Sequence, residues 1–258
     1  MKSRTRNFEG NGSPLDIDSA RGVFLTAEWR DLVMLNYQVD PALLRDYVPR
    51  GVELDAFEGR TYISLVGFRF LRTKLLGFLA VPFHTNFDEV NLRFYVRRRE
   101  GAELRRGVVF IREFVPRLAI AGLARLVYGE KYDSCPMQHE SVRTDAAILA
   151  AYEWHFEGES FRLDAEASGT PHYVAENSVE NFITEHYWGY STKADGASIE
   201  YRVTHSRWRI WTATKSGFDG DADALYGLGF AEILVRNPDS AFIAEGSPVV
   251  VHKGRRIA

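Results

Sequence analysis

The sequence predicts a β-dominated α+β fold, an antiparallel barrel or sandwich with two or three helices on its outside. Three observations carry this expectation. Apolar segments of strand length follow one another from Val23 onward, separated by short turn clusters. One of them, Glu89 to Val96, alternates cleanly, with Val90, Leu92, Phe94 and Val96 on one face and Glu89, Asn91, Arg93 and Tyr95 on the other. Helical spacing is confined to three short stretches.

Residues 1–20 are rich in turn formers and charge (Asn7-Phe-Glu-Gly-Asn-Gly-Ser-Pro14) and are expected to form a mobile tail before one domain over 21–258. Arg30 to Asp40 reads as an apolar strand entered through a guanidinium. Asp40-Pro41 then opens a helix over Pro41–Val48, with an acid to cap it and proline at its first position; Pro49 stops it. Thr61 to Leu71 and Gly107 to Phe114 read as strands. Ala119 to Val127 has helical apolar spacing, with Gly129 as its stop. Tyr152–Phe156 and Phe161–Ala167 form a further strand pair. Ser178 caps a third short helix from Val179 to about His186. Strands at Ile199–His205, Trp208–Trp211 and Pro248–Lys253 complete the chain.

The composition bounds the function. A chain of 258 residues, 45% hydrophobic, has enough apolar mass for one substantial core. Its formal charge of -3 offers no basic field, which argues against nucleic acid as a main partner. A single cysteine, Cys135, excludes an intrachain disulfide and a Cys-based zinc site. The seven histidines show no ligand spacing, so no metal is expected. No cofactor is expected either, since phosphate loops and nucleophile elbows are missing from the sequence. Met1 to Asn11 has no apolar signal region, and the apolar run around Leu75–Phe83 is broken by Gly77 and Pro82. A cytoplasmic protein without membrane segments is the expectation.

Several residues are candidates for chemistry, each with a plainer alternative. Arg30 at a strand mouth suits a carboxylate ligand, because its fork binds two oxygens; alternatively it pairs with Glu28 or Asp31 at the surface. Glu89 lies on the polar face of an otherwise apolar strand. Turned into a barrel, burial would raise its pKa toward acid–base use; turned outward, it is a solvated neighbour of Arg93. Lys131 can be a Schiff-base nucleophile only if its amine is neutral near pH 7, and the adjacent Glu130 opposes that. His186, Tyr187 and Trp188 either line a ligand pocket or belong to the core.

Four segments together resemble the YqjF-like bacterial proteins of unknown function: Phe24-Leu-Thr-Ala-Glu-Trp-Arg30, Glu89-Val-Asn-Leu-Arg-Phe-Tyr-Val96, Gly107-Val-Val-Phe-Ile-Arg-Glu113 and Ile183-Thr-Glu-His-Tyr-Trp-Gly-Tyr190. Glu200-Tyr-Arg-Val203 and Gly246-Ser-Pro248 extend the likeness to about Val23–Arg256. That family is similar, more distantly, to acetoacetate decarboxylase. Arg30 and Asp40 match an arginine that opens a strand ending in aspartate before a helix, and Phe87-Asp88-Glu89 resembles its pocket acid. The resemblance implies a cone-like barrel around a buried pocket, often in a homo-oligomer, with Arg30 and Glu89 facing one cavity. It departs at the chemistry. The decarboxylase has two consecutive lysines after a tyrosine and one further residue, whereas here Tyr128-Gly129 precedes Glu130-Lys131. Glu130 then stands at the reactive position and Lys131 at that of the helper.

The resulting expectation is a small-molecule binding protein, or a non-decarboxylating enzyme, for an anionic or carbonyl compound. Arg30 would anchor the ligand and Glu89 act as acid–base or polar clamp, with Glu130, His186, Tyr187 and Trp188 around it. The alternatives are a lyase using Lys131 as Schiff base and an oligomeric scaffold with a vestigial pocket.

Overall fold

The computed structural model describes residues 22–80, 85–116 and 131–257. The N-terminal tail, the helix expected over 119–127 and Glu130 lie outside these. In chain order the strands are β1 (Val23–Val39), β2 (Glu53–Leu54), β3 (Thr61–Leu75), β4 (Phe87–Glu100), β5 (Glu103–Val115), β6 (Tyr132–Ser134), β7 (Met137–Arg143) and β8 (Ala147–Phe156). They continue as β9 (Glu159–Ser168), β10 (Trp188–Thr192), β11 (Ser198–His205), β12 (Ile210–Thr212), β13 (Lys215–Asp219), β14 (Ser240–His252) and β15 (Arg255–Ile257). The fold is thus α+β and dominated by strands, as the sequence predicts.

The larger sheet runs β12-β14-β1-β3-β4-β5-β10-β11-β15, and β14 also pairs with β11. One edge of β14 takes β1 along almost its whole length. The opposite edge is shared: Phe242–Ala244 pairs with β12, and Val249–Val251 with β11. Pairings therefore pass round a ring from β14 through β1, β3, β4, β5, β10 and β11 and back to β14. Most are antiparallel; β10 joins β5 in parallel. A second sheet, β13-β9-β8-β7, packs on the outside of this ring.

Two packed layers explain why β4 is buried on both faces. Val90, Leu92, Phe94 and Val96 share one apolar cluster with Tyr152, Trp154, Phe161 and Leu163 of the second sheet. Tyr95, two residues from Arg93 on the same face, belongs to the other cluster, with Met34, Phe68, Phe182 and Trp208 inside the ring. The polar face of β4 consequently points into the interior, and Glu89, Asn91 and Arg93 are each less than a tenth exposed. The fit between layers is close: a Cβ at Gly67 of β3 would lie 2.5 Å from the Tyr152 ring.

Helical segments are shorter and more numerous than the sequence predicts. Pro41–Tyr47 forms as a 3-10 helix, capped by the Asp40 carboxylate accepting from the Ala42 amide at 2.8 Å. Val48 is extended, as a residue before proline must be. Val179–Thr184 is α-helical with the expected Ser178 cap. Two further helices, Ala222–Tyr226 and Leu228–Leu234, escape sequence reasoning because Gly227, at φ 84°, breaks one apolar stretch into two short pieces of five and seven residues. The strand expected over Trp208–Trp211 is displaced to Ile210–Thr212. No helix among the described residues is long and apolar enough to cross a membrane.

Gly189 on β10 shows how tightly the interior is shaped. It lies opposite Tyr201 of β11, and a Cβ there would sit 2.1 Å from the tyrosine ring. Gly189→Ala must therefore push the Tyr201 ring aside, an overpacking expected to cost about 1–3 kcal/mol. A denaturation midpoint equal to that of the wild type would refute the close approach.

Candidate functional site

A cavity of about 130 Å³ lies inside the ring, walled mainly by aromatic side chains. Trp29 supports one side, its ring edge-on to Phe68 at 5.3 Å and to Trp208 at 6.1 Å. Phe70 and Phe87 stack at 4.5 Å, and His205 stacks on Trp208 at 4.3 Å. Into this apolar surface β4 brings three polar side chains at two-residue intervals, Glu89, Asn91 and Arg93. A strand repeats every second residue on one face, so the local sequence alone aligns them.

Glu89 accepts a hydrogen bond from Asn91 Nδ2 at 2.9 Å through Oε1 and from the Tyr132 hydroxyl at 3.3 Å through Oε2. Burial pushes its carboxyl up to about 7, against the pull of these two donors and of the Arg93 charge. Such a group holds or releases a proton near neutrality.

Arg93 is 8% exposed and lines the same cavity. Its Nε is buried without a hydrogen-bond partner, and among the described residues none forms an ion pair with it. Its guanidinium carbon lies 5.9 Å from the Tyr95 ring centroid. A buried cation without a direct ion-pair partner is costly. Here that cost falls on a residue facing a cavity.

His186 forms another part of the wall. Its Nε2 lies 3.2 Å from Asp55 Oδ2, and the same oxygen accepts from Arg106 Nε at 2.7 Å. Burial pushes the Asp55 carboxyl up, yet the bonds from His186 and Arg106 outweigh it and hold the group at about 2. Burial lowers His186 to about 4 despite its bond to Asp55. His205, half-buried, is lowered by desolvation to about 4 against its bond to the Ser206 carbonyl. Both histidines are therefore neutral at pH 7. No group of three or more His, Cys, Asp or Glu side chains among the described residues is arranged to hold a metal.

The nominated residues separate into two sets. Glu89, His186 and Trp188 all reach the cavity. Arg30 does not, which corrects the expectation that it would meet Glu89 there. Its neighbour Trp29 faces the cavity, so Arg30 faces away, bonding Glu28 Oε2 at 2.8 Å and the Gly246 carbonyl at 3.4 Å. Tyr187 also turns away between His186 and Trp188, and its hydroxyl donates to Glu185 at 2.7 Å. Lys131 is exposed, with Nζ 5.4 Å from the Tyr47 ring, while the next residue, Tyr132, is the one that enters the cavity. The cavity's arginine is Arg93, which sequence reasoning placed only as a surface neighbour of Glu89. The signal for it was present: polar residues at every second position of a strand whose other face is wholly apolar. Asp55 carried none, since its partner His186 is 131 residues away.

The fold is shared with proteins of very different sequence. An acetoacetate decarboxylase from Legionella pneumophila matches over 100% of this chain and 98% of its own, with a TM-score of 0.62 at 12% identity. An acetoacetate decarboxylase-like enzyme from Sphingomonas wittichii RW1 matches over 99% of both chains, also at 0.62 and with 13% identity. The enduracididine biosynthesis enzyme MppR in complex with pyruvate matches over 99% of both chains at 0.62 and 14% identity. At the level of sequence, the uncharacterized protein YqjF of Bacillus subtilis (strain 168) is 26% identical over 186 residues, 72% of this chain and 74% of its own. Residues 26–248 match the model of the uncharacterized conserved proteins DUF2071, and the chain belongs to that family.

Proposed function

We propose that the ring of strands acts as a cone-like barrel whose interior binds a small carboxylate, or a carbonyl compound of similar shape, with Arg93 as its anchor. The observation that carries this reading is the buried Arg93 guanidinium, its Nε without a hydrogen-bond partner and with no ion pair among the described residues, set in an aromatic cavity within electrostatic reach of Glu89. A carboxylate would form the direct ion pair that Arg93 lacks and accept two N–H bonds from the fork. The aromatic walls take the apolar remainder, and Glu89 lies within the same space as a proton donor or acceptor. The volume limits the ligand, since cavities of roughly 150 Å³ hold a benzene-sized molecule. The MppR–pyruvate complex, a small carboxylate bound by a protein of this fold, agrees with the reading. Amine chemistry at Lys131 lacks comparable support, because its side chain is exposed.

Titration calorimetry and thermal shift with short-chain carboxylates test the proposal. Arg93→Met is expected to weaken binding by about 10- to 100-fold, the value of charge-assisted hydrogen bonds at about 1.5–3 kcal/mol. Its melting temperature without ligand should not fall, because an unpaired buried charge has been removed. Equal affinity in wild type and variant, or no carboxylate binding to the wild type, overturns the reading.

A further inference from the structure

The turn that follows β3 carries an apolar tip held out into water. Leu76 is 48% exposed, Phe78 74% and Leu79 50%. The other large apolar side chains that are exposed, Leu104, Val142, Tyr173, Leu228 and Val235, stand singly along the chain. Single ones are ordinary on a protein surface, whereas three together call for something to cover them. The turn is firmly built. The amides of Phe78 and Leu79 donate to the Leu75 carbonyl at 3.2 and 2.9 Å, and the Leu76 amide donates to the Phe24 carbonyl at 2.7 Å. Gly77 takes φ 80° and Leu76 φ 54°, a region that leucine rarely adopts. A turn that only reversed the chain would be better served by Asn, Asp or Gly at Leu76.

The charges around the tip select its partner. Lys74, two residues before Leu76, is exposed. Lys253 arrives from the other end of the chain and is exposed too; its amide donates to the Gly22 carbonyl at 3.0 Å, and its Nζ would lie 3.4 Å from a Cβ on Gly22. The next residue, Val23, reaches the tip, with Cγ1 3.5 Å from where a Cβ on Gly77 would stand. Neither lysine forms an ion pair among the described residues. The neighbouring acid, Glu28, is shared between Arg30 and Arg72. This corner is therefore positive on a chain whose formal charge is -3. A second copy docked symmetrically through the tip would bring these lysines toward their own counterparts, a like-charge contact. An anionic bilayer meets both needs: its acyl region takes the apolar tip, and its headgroups pair with the lysines, whose methylene stems lie along the boundary.

We propose that Leu76, Phe78 and Leu79, flanked by Lys74 and Lys253, form a docking site for the surface of an anionic lipid bilayer. The protein then lies on the membrane without spanning it, in keeping with the lack of a crossing helix among the described residues. Phe24, to which the tip is hydrogen-bonded, lines the cavity, so docking sets that wall of the cavity beside the lipid. The surface is separate from Arg93 and Glu89 and does not depend on the carboxylate reading.

Co-sedimentation of the full chain with vesicles of phosphatidylcholine alone, and of equal parts phosphatidylcholine and phosphatidylserine, tests the proposal. The wild type is expected to bind the mixed vesicles, and to be released as salt screens the lysines. Phe78→Ser should lower that binding at least about tenfold, the value of burying one large apolar side chain. Replacing both Lys74 and Lys253 by Gln should lower it about 30-fold on mixed vesicles and leave phosphatidylcholine alone unaffected. Both variants alter exposed side chains, so their unfolding midpoints should match that of the wild type. Light scattering of wild type and Phe78→Ser without lipid should give the same mass. Failure of the wild type to bind mixed vesicles, or equal binding by the wild type and both variants, overturns the proposal. So does a wild-type oligomer that Phe78→Ser dissociates, since a second copy would then cover the tip.

Discussion

Glu200→Ala is expected to destabilise the protein by about 3–5 kcal/mol, the usual consequence of breaking a buried charge network from one side. Glu200 is fully buried. Its Oε1 accepts from Arg105 Nη1 at 2.7 Å and from Arg255 Nη2 at 2.8 Å, and its Oε2 from Arg98 Nη1 and the Tyr190 hydroxyl, each at 3.2 Å. One carboxylate thereby joins β4, β5, β10, β11 and β15. Its loss leaves Arg105, itself 8% exposed, without its buried counter-charge. The damage reaches the cavity, because the Arg105 guanidinium carbon lies 4.4 Å over the ring of Trp188, a wall residue. For a chain of this size the loss corresponds to a fall in Tm of roughly 10 °C. Glu58→Ala, which removes an exposed pair with Arg60, is the control and should stay within about 0.5 kcal/mol. Equal midpoints for the two variants would sink the expectation.

Glu89→Gln should stabilise the protein at neutral and alkaline pH, with a gain that disappears in acid. Glu89 titrates near 7 in the folded chain against a value of 4.5 when solvated. Between these limits the native state binds the proton that the unfolded state has released. Stability contributed by the protonated form is fully present below about 4.5 and is lost as pH rises through about 7. Glutamine keeps the shape and never ionises. The difference between variant and wild type should therefore grow by about 3 kcal/mol from pH 4.5 to above pH 7 and then level off. Chemical denaturation at several pH values measures it directly. A difference that does not vary with pH would show that Glu89 is not held in a desolvating site. The histidines act in the opposite sense: His186 and His205, lowered to about 4, remove stability as pH falls from about 6.5. The two slopes meet, and the wild type should be most stable slightly below neutrality.

The same strand shows what the sequence could and could not convey. The alternation of β4 announced a two-faced strand, and its polar face was the correct place to seek chemistry. Which face looked inward depended on the second sheet, whose packing residues Tyr152, Trp154, Phe161 and Leu163 lie more than 50 positions downstream. Arg30 failed as a pocket residue for a related reason. Leu32 to Leu35 are buried on both sides, so their pattern does not reveal the phase of β1. The phase also shifts at Asp31, where φ is 56° and the register with β3 slips between Arg30 and Val33. That bulge is held from the second sheet by the Tyr152 hydroxyl, which donates to the Asp31 carbonyl at 2.7 Å. No local signal marks it. His186 and Trp188 were nominated together with Tyr187, and the sequence did not show that Tyr187 turns to the other side just before β10 begins. The Asp55–His186 contact was not legible, since only the closed ring brings these segments together.

The pairing of β1 with β14 has a consequence in time as well as in space. Val23 lies opposite His252, so the first and last long strands among the described residues are neighbours. On a ribosome, β1 emerges with one edge unpaired and keeps it until almost all of the remaining strands have been made. The ring cannot close, and the cavity cannot exist, before β14 is free to dock. Bringing together segments so far apart costs loop-closure entropy before any contact repays it, which places folding among slow, non-local β topologies, at roughly milliseconds to seconds. During that interval the β1 edge, with the apolar run from Leu32 to Leu35 beside it, is the surface that a chaperone would have reason to hold.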